Sequence, residues 1–220
     1  MTMTLTETIP GYMTGTWAID PEHSEVGFAV RHMMIGKARG TFTRFSGDLV
    51  TAPDVLSSSV TAEIDPASVD TGSALRDANL RAHFFDIGNH PKMTYRSTGL
   101  RPADGHYVLD GELTVNGITK NVPLTLKVNG FGPDTQGGTR VGFTATGGIN
   151  RQDFGVRWNA VMEAGGAAVA NDIAIYLQIE AVCPPGISAP MAHSKIRSVE
   201  TTKIRRMSPR DMDAVCEVIG

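Results

Sequence analysis

The sequence predicts an all-β protein built as a closed antiparallel barrel of eight or nine strands. From residue 16 to 183 apolar side chains recur with period two, the mark of strands with one buried and one wet face. The links between these runs are short and rich in turn formers, which makes successive strands antiparallel neighbours. The one long interruption, residues 65–93, carries a helical pattern. So many one-sided strands must fold over as a sandwich or close as a barrel. Closure is the reading preferred here, because Gly36, Gly40, Gly47, Gly111 and Gly148 fall where a closing sheet needs bulges or sharp bends.

In chain order, "GTWAID" opens the barrel, and Val26, Phe28 and Val30 alternate with Glu25, Gly27 and Arg31. "KARGTFTRFSGDL" supplies the next strands, and Val60, Ala62 and Ile64 the one after. Thr71 or Ser73 caps a helix running to about Arg81, and "FFD" and "NHP" then return the chain to the strand "KMTYRSTG". Tyr107, Leu109, Leu113 and Val115 form an inward row, as do Val122, Leu124, Leu126 and Val128 after "VNGITKN". "FGPDTQGGTR" leads to Val141, Phe143, Ala145 and Ile149, and Ile173, Ile175, Leu177 and Ile179 close the series. Residues 1–13 read as a flexible N-terminus, 14–183 as the barrel, and 184–220 as a linker with an appended short strand and helix. In that tail Ser208, Pro209 and Asp211 are helix-start signals.

Composition limits the function classes. With 20 Lys+Arg against 23 Asp+Glu the net charge is -3, and no dense basic run favours nucleic acid as a partner. The opening lacks a Sec-type signal, and no stretch of about 18 apolar residues argues for stable membrane insertion, so a cytoplasmic location is expected. Cys183 and Cys216 have no metal-ligand spacing and read as thiols in a reducing compartment. His23, His32, His83 and His90 are too scattered to form a zinc set. No serine has the strand, sharp turn and helix of a nucleophile elbow.

Four stretches resemble the YceI-like family. They are "WAIDPEHSEVGFAVRHMMIGKARGTFTRFSGDL", "LRDANLRAHFFDIGNHPKMTYRST", "LDGELTVNGITKNVPLTL", and "GGINRQDFGVRWN" with "VANDIAIYLQIEA". The resemblance spans roughly residues 14–183. It implies an extended lipocalin-like antiparallel eight-stranded β-barrel with a short helical lid, holding a polyisoprenoid, an isoprenoid quinone or a fatty amide or acid in its lumen. It also implies a homodimer, no catalysis and no resident cofactor. The tail "TTKIRRMSPRDMDAVCEVIG" is similar to the opening of GNAT-superfamily acetyltransferases, but the pyrophosphate-binding loop those enzymes need is absent.

The expected ligand-contacting residues are Phe28, Val30, His32, Met34, Phe42, Phe84, Phe85, Tyr95, Leu113, Leu124, Phe143, Phe154, Trp158 and Ile175. Each also has a structural reading: His32 as a hydrogen-bonded barrel-end residue, Met34 as a gap filler, and Phe84 or Phe85 as an anchor for the lid. Within "INRQDFGVRWN", Arg151 and Asp153 satisfy a barrel corner and Phe154 and Trp158 wall the cavity. The competing reading is an enzyme acting on a lipophilic substrate inside the barrel, with His32 or Asp153 as its acid or base.

Overall fold

The computed structural model describes residues 9–32, 36–135, 137–157 and 169–183, with the His32 side chain left aside. The strands are β1 (Gly15–Ile19), β2 (Glu25–His32), β3 (Gly36–Phe42), β4 (Phe45–Thr51), β5 (Ser59–Ile64), β6 (Val69–Asp70), β7 (Met93–Ala103), β8 (His106–Val115), β9 (Ile118–Asn121), β10 (Leu124–Pro133), β11 (Thr139–Asn150) and β12 (Val169–Cys183), with one helix, α1 (Ala74–His83), between β6 and β7. They form one sheet in the order β1-β4-β5-β7-β8-β10-β11-β12. The pairs Ala18↔Val182 and Ile19↔Ala181 close it, giving an eight-stranded antiparallel barrel. The tail from residue 184, with its expected strand and helix, lies outside the described residues.

The extra segments arise because long strands are broken by bends. The β1 and β2 segments both pair with β12, as the halves of one strand interrupted at Asp20–Ser24. Likewise β3 and β4 are halves interrupted at Thr43 and Arg44, and β5 and β6 are halves interrupted at Asp65–Ser68. The last two interruptions lie side by side, since the Arg44 amide donates to Ser68 Oγ at 3.0 Å and the Asp65 amide to the Arg44 carbonyl at 3.0 Å. A crease therefore crosses this side of the barrel.

"DPEHS" builds the first bend from side chains. The Ser24 hydroxyl donates to the Glu180 carbonyl at 3.1 Å and accepts from the Glu180 amide at 2.9 Å. Asp20 accepts from the Glu22 amide and from Arg140 Nη1 at 2.6 Å, and its Oδ2 lies 2.7 Å from His23 Nδ1. Arg140 also reaches Glu180 at 3.0 Å and Asp134 at 3.7 Å, tying β11 and β12 to the bend. Burial alone would raise the Asp20 carboxyl. The hydrogen bonds from Arg140, His23 and the Glu22 amide outweigh it and hold the pKa at about 2.

The glycines serve a purpose other than the one expected of them. Register shifts occur at Ser97/Gly99, Val128/Gly130 and Val169/Ile173, none of them at the five glycines singled out from sequence. Gly40, Gly47 and Gly111 instead permit close approach. A Cβ on Gly40 would strike the Phe28 ring, one on Gly47 the Thr61 carbonyl oxygen, and one on Gly111 the Tyr95 ring. Of the expected flexible N-terminus, residues 1–8 lie outside the described residues, whereas Ile9 is buried and the Tyr12 hydroxyl donates to the Ala52 carbonyl at 2.7 Å. An apolar side chain and a ring this close to the barrel find a wall to pack on.

Gly47→Ala, whose new methyl meets backbone, should cost about 1–3 kcal/mol in urea unfolding. Gly99→Ala, where nothing lies within 4 Å, should be neutral or stabilising by under about 1 kcal/mol. The depressed Asp20 pKa adds stability that is complete above its ordinary value and lost as pH falls toward about 2. Arg140→Gln, which lets the Asp20 pKa rise toward its ordinary value, should lower the urea midpoint near about pH 5 and shrink the further drop between about pH 5 and about pH 3.

Candidate binding cavity

Because every strand is one-sided, closing the sheet points the alternating apolar residues at one another. Eight strands leave an interior that side chains just fill or that holds one small ligand. Here it is not filled: the barrel encloses a cavity of about 550 Å³, within the range of small-molecule sites. Of the residues expected to face it, Phe28, Val30, Phe42, Phe84, Phe85, Tyr95, Leu113, Leu124, Phe143, Phe154 and Ile175 lie on its wall. The His32 side chain, Met34 and Trp158 lie outside the described residues.

Aromatic rings organise one side of the wall. Phe28 and Phe42 stand 5.5 Å apart between centroids, and Phe85, arriving from the segment after α1, meets Phe42 edge-on at 5.8 Å. Phe85 thus anchors the lid as well as lining the cavity. Across the lumen the Tyr95 hydroxyl donates toward the Leu109 and Val122 carbonyls, each at 3.2 Å, and burial pushes its pKa up to about 12. That phenol is a satisfied wall element rather than an acid or base at neutral pH.

One end is closed by the N-terminal segment. Tyr12 and Trp17 both pack edge-on against Phe131, at 5.4 and 5.6 Å, and Trp17 Nε1 donates to Thr51 Oγ1 at 2.8 Å. The other end is where exposed residues join the wall: Arg39 from β3, and Leu75, Arg76 and Asn79 from α1. The helix begins at Ala74 with Ser73 in the N-cap position, but the Ser73 side chain makes no capping bond. Asp77 reaches back instead, accepting from the Thr71 amide at 3.0 Å and the Thr71 hydroxyl at 2.6 Å. Arg81 holds the far half of the helix by donating to the carbonyls of Ala67 and Val69, both at 2.8 Å.

The stretch "INRQDFG" turns the chain between β11 and the residues leading to β12. Asn150 caps a short 3-10 helix, Arg151–Phe154, and Gly155 ends it with φ 77°, a left-handed value suited to glycine. Arg151 is buried, and it donates through Nε to Ala170, Nη1 to Val156 and Nη2 to Val169 carbonyls at 3.0, 2.8 and 3.5 Å. Its guanidinium carbon lies 5.8 Å from the Phe84 ring centroid, and burial lowers its pKa. Asp153 is exposed. Among the described residues the charged side chains on the wall are Arg39, Arg76 and Arg151, with no carboxylate, lysine or histidine.

Sequence reasoning missed three parts of this site. Ile9 and Tyr12 were hidden because a short terminal segment has no periodicity. Arg39 and Arg76 sit at polar positions of a strand and a helix, and only the closed geometry brings them to one opening. Asn116, at φ 51° beside Gly117 at φ 73°, makes the primed turn between β8 and β9. Its Nδ2 donates to the Phe84 and Phe154 carbonyls at 3.0 and 3.3 Å, and its Oδ1 accepts from the Asp86 amide at 3.0 Å. One side chain therefore fastens both the lid segment and the 3-10 corner. Asn116→Ala should cost about 1–3 kcal/mol, and Asn116→Gly, which keeps the turn conformation, should still lose amide-exchange protection at Asp86.

Comparison with known proteins gives one consistent answer. The YceI-like domain family matches residues 17–181. The YceI protein of Escherichia coli O157:H7 is 36% identical over 145 residues, covering 64% of this chain and 76% of its own. Among solved structures, BcnA of Burkholderia cenocepacia superposes with a TM-score of 0.64 at 24% identity, over 74% of this chain and 98% of that one. A polyisoprenoid binding domain from Saccharophagus degradans superposes at 0.59 with 14% identity, over 79% of this chain and 100% of that one. At these identities the two structures speak to the fold. Among the described residues no helix is long and apolar enough to cross a membrane.

Proposed function

The chain belongs to the YceI-like family, and from that membership we propose that it binds a long-chain apolar molecule in the barrel lumen, as a carrier or store and without catalysis. The observation that carries the reading is the cavity itself: about 550 Å³ of unfilled space walled by aliphatic and aromatic side chains. A lumen made only to be stable would be packed to crystal-like density. Taking a methylene as about the ~30 Å³ share of a water molecule, this space admits on the order of 20 carbons. At about 0.8 kcal/mol per methylene removed from water, such a chain gains on the order of 10 kcal/mol. That is comparable with the 4–15 kcal/mol lost in association. A polyisoprenoid, an isoprenoid quinone tail or a fatty acid or amide has the required shape and apolarity.

Chemistry on a lipophilic substrate would need an acid, base or nucleophile in the lumen. Asp153, one of the two residues considered for that task, is exposed on the corner helix. The described wall offers hydroxyls, phenols and guanidinium groups but neither carboxylate nor imidazole. A homodimer and a cytoplasmic location belong to the same proposal. Light scattering tests the dimer and fractionation of cells the location.

Organic extraction of the purified chain followed by mass spectrometry should release a lipid with an apolar chain on the order of 20 carbons. Ala62→Phe, which directs a ring into the lumen, should abolish that lipid while leaving unfolding stability equal or higher, because it fills a void. A wild-type protein that yields no lipid from any host or added lipid extract would sink the proposal.

A further inference from the structure

The open end of the barrel joins exposed apolar surface to positive charge. Leu75, on the first turn of α1, is 76% exposed although it lines the opening. Arg76 follows it on the helix, and Arg39, exposed on the outer face of β3 because its neighbours Ala38 and Gly40 pair with the inward Val30 and Phe28, borders the same opening. Arg76 is fixed there, its Nε donating to Thr71 Oγ1 and its Nη2 to the Thr71 carbonyl, both at 2.7 Å. On the β2–β3 hairpin Arg31 pairs directly with Lys37, and Arg39 follows two residues on along the same face. Like charges set opposite each other across strands destabilise a sheet, so this hairpin keeps a basic stripe at some cost to its own folding. Of the neighbouring carboxylates, Asp77 is buried against Thr71 and Asp70 accepts from the Gly72 amide at 2.8 Å, while Glu25 borders the same outer groove as Arg39 and Asp172 is exposed on β12 beside β2.

We propose that this rim, Leu75 with Arg31, Lys37, Arg39 and Arg76, docks the barrel mouth on an anionic lipid bilayer. The charge complements phosphate, which guanidinium groups engage with paired hydrogen bonds. Leu75 enters the interfacial layer while the arginine stems lie along it with their heads among the phosphates. The docking gives a chain too apolar for water a path from bilayer to lumen, and so extends the carrier reading on which its purpose rests. The binding is peripheral and involves no spanning segment. It depends on salt and on anionic lipid, because each basic residue near such a surface contributes about fivefold in partitioning, equivalent to ~1 kcal/mol.

Co-sedimentation of the full chain with vesicles tests it. Vesicles of equal parts phosphatidylglycerol and phosphatidylcholine should bind the protein, and pure phosphatidylcholine vesicles should not. Binding should vanish near about 1 M salt, where screening reaches ~3 Å. Arg39→Glu with Arg76→Glu should lower the bound fraction at least about tenfold. Arg31→Glu with Lys37→Glu, which leaves the lid helix untouched, should do the same, and Leu75→Ser should weaken binding at unchanged net charge. Lys127→Glu, on the exposed face of β10, should change binding little. Equal binding to both vesicle types, binding to neither, or insensitivity to the reversals overturns the proposal. So does a wild-type self-association that the reversals abolish while vesicle binding stays unchanged, which would make the face a contact between copies. Lipid content of the same preparations separates the two readings. Lipid-loaded protein that ignores vesicles overturns docking alone, whereas vesicle binding by a protein that never carries lipid supports docking and removes the carrier.

Discussion

Strand β12 carries the closure on which everything else depends. Along one edge it pairs with the whole of β11, from Asn150↔Asp172 to Thr139↔Cys183. Along the other it pairs first with β2, from Val169↔His32, and then with β1, ending at Ala18↔Val182. A β-strand has two hydrogen-bonding edges, and both of these are filled. The sheet therefore has no free edge at this seam, and its inward face has nowhere to go but the lumen. The seam also explains the ionic cluster at Asp20 and Arg140. Where β1 gives way to β2 the ladder is interrupted, and Ser24, Asp20 and Arg140 supply from side chains the bonds that the backbone omits there.

Much of this was legible from residue pattern. The inward rows of β2, β5, β8, β10, β11 and β12 follow from alternation alone, because a period of two assigns each side chain to a face whatever the strand's partner. The lid helix was legible from its break in that rhythm, although its start is held by Asp77 through Thr71 rather than by a Ser73 cap. The glycines were legible as special and misread as bends, since sequence does not say which ring crosses which backbone. Gly40 under Phe28 and Gly111 under Tyr95 are pairs across strands. The volume left in the lumen was not legible at all. It depends on shear and tilt, and the same aliphatic rows describe a filled barrel and a hollow one.

The contrast between the two ends of the lumen shapes what it can hold. At the closed end Trp17, Tyr12 and Phe131 interlock, and their polar atoms are already bonded to Thr51 and Ala52. Nothing there asks for a partner, so a chain's apolar terminus suits it. At the open end three arginines meet the cavity wall. A molecule with one polar and one apolar extremity thus has a single favourable orientation, tail inward, set by where the protein spends its own hydrogen bonds.

Asn116 couples two parts of the cavity wall. The lid segment at Phe84 and Asp86 and the corner at Phe154 are distant in sequence, yet both hang from one amide group. Two segments sharing a fastening are coupled: a shift of the lid segment that breaks the Asn116 bonds also removes one bond from the corner, which Arg151 continues to hold. A movement of the lid at Phe84 and Asp86 is therefore felt at the corner by Phe154, two stretches of cavity wall that the chain itself keeps far apart.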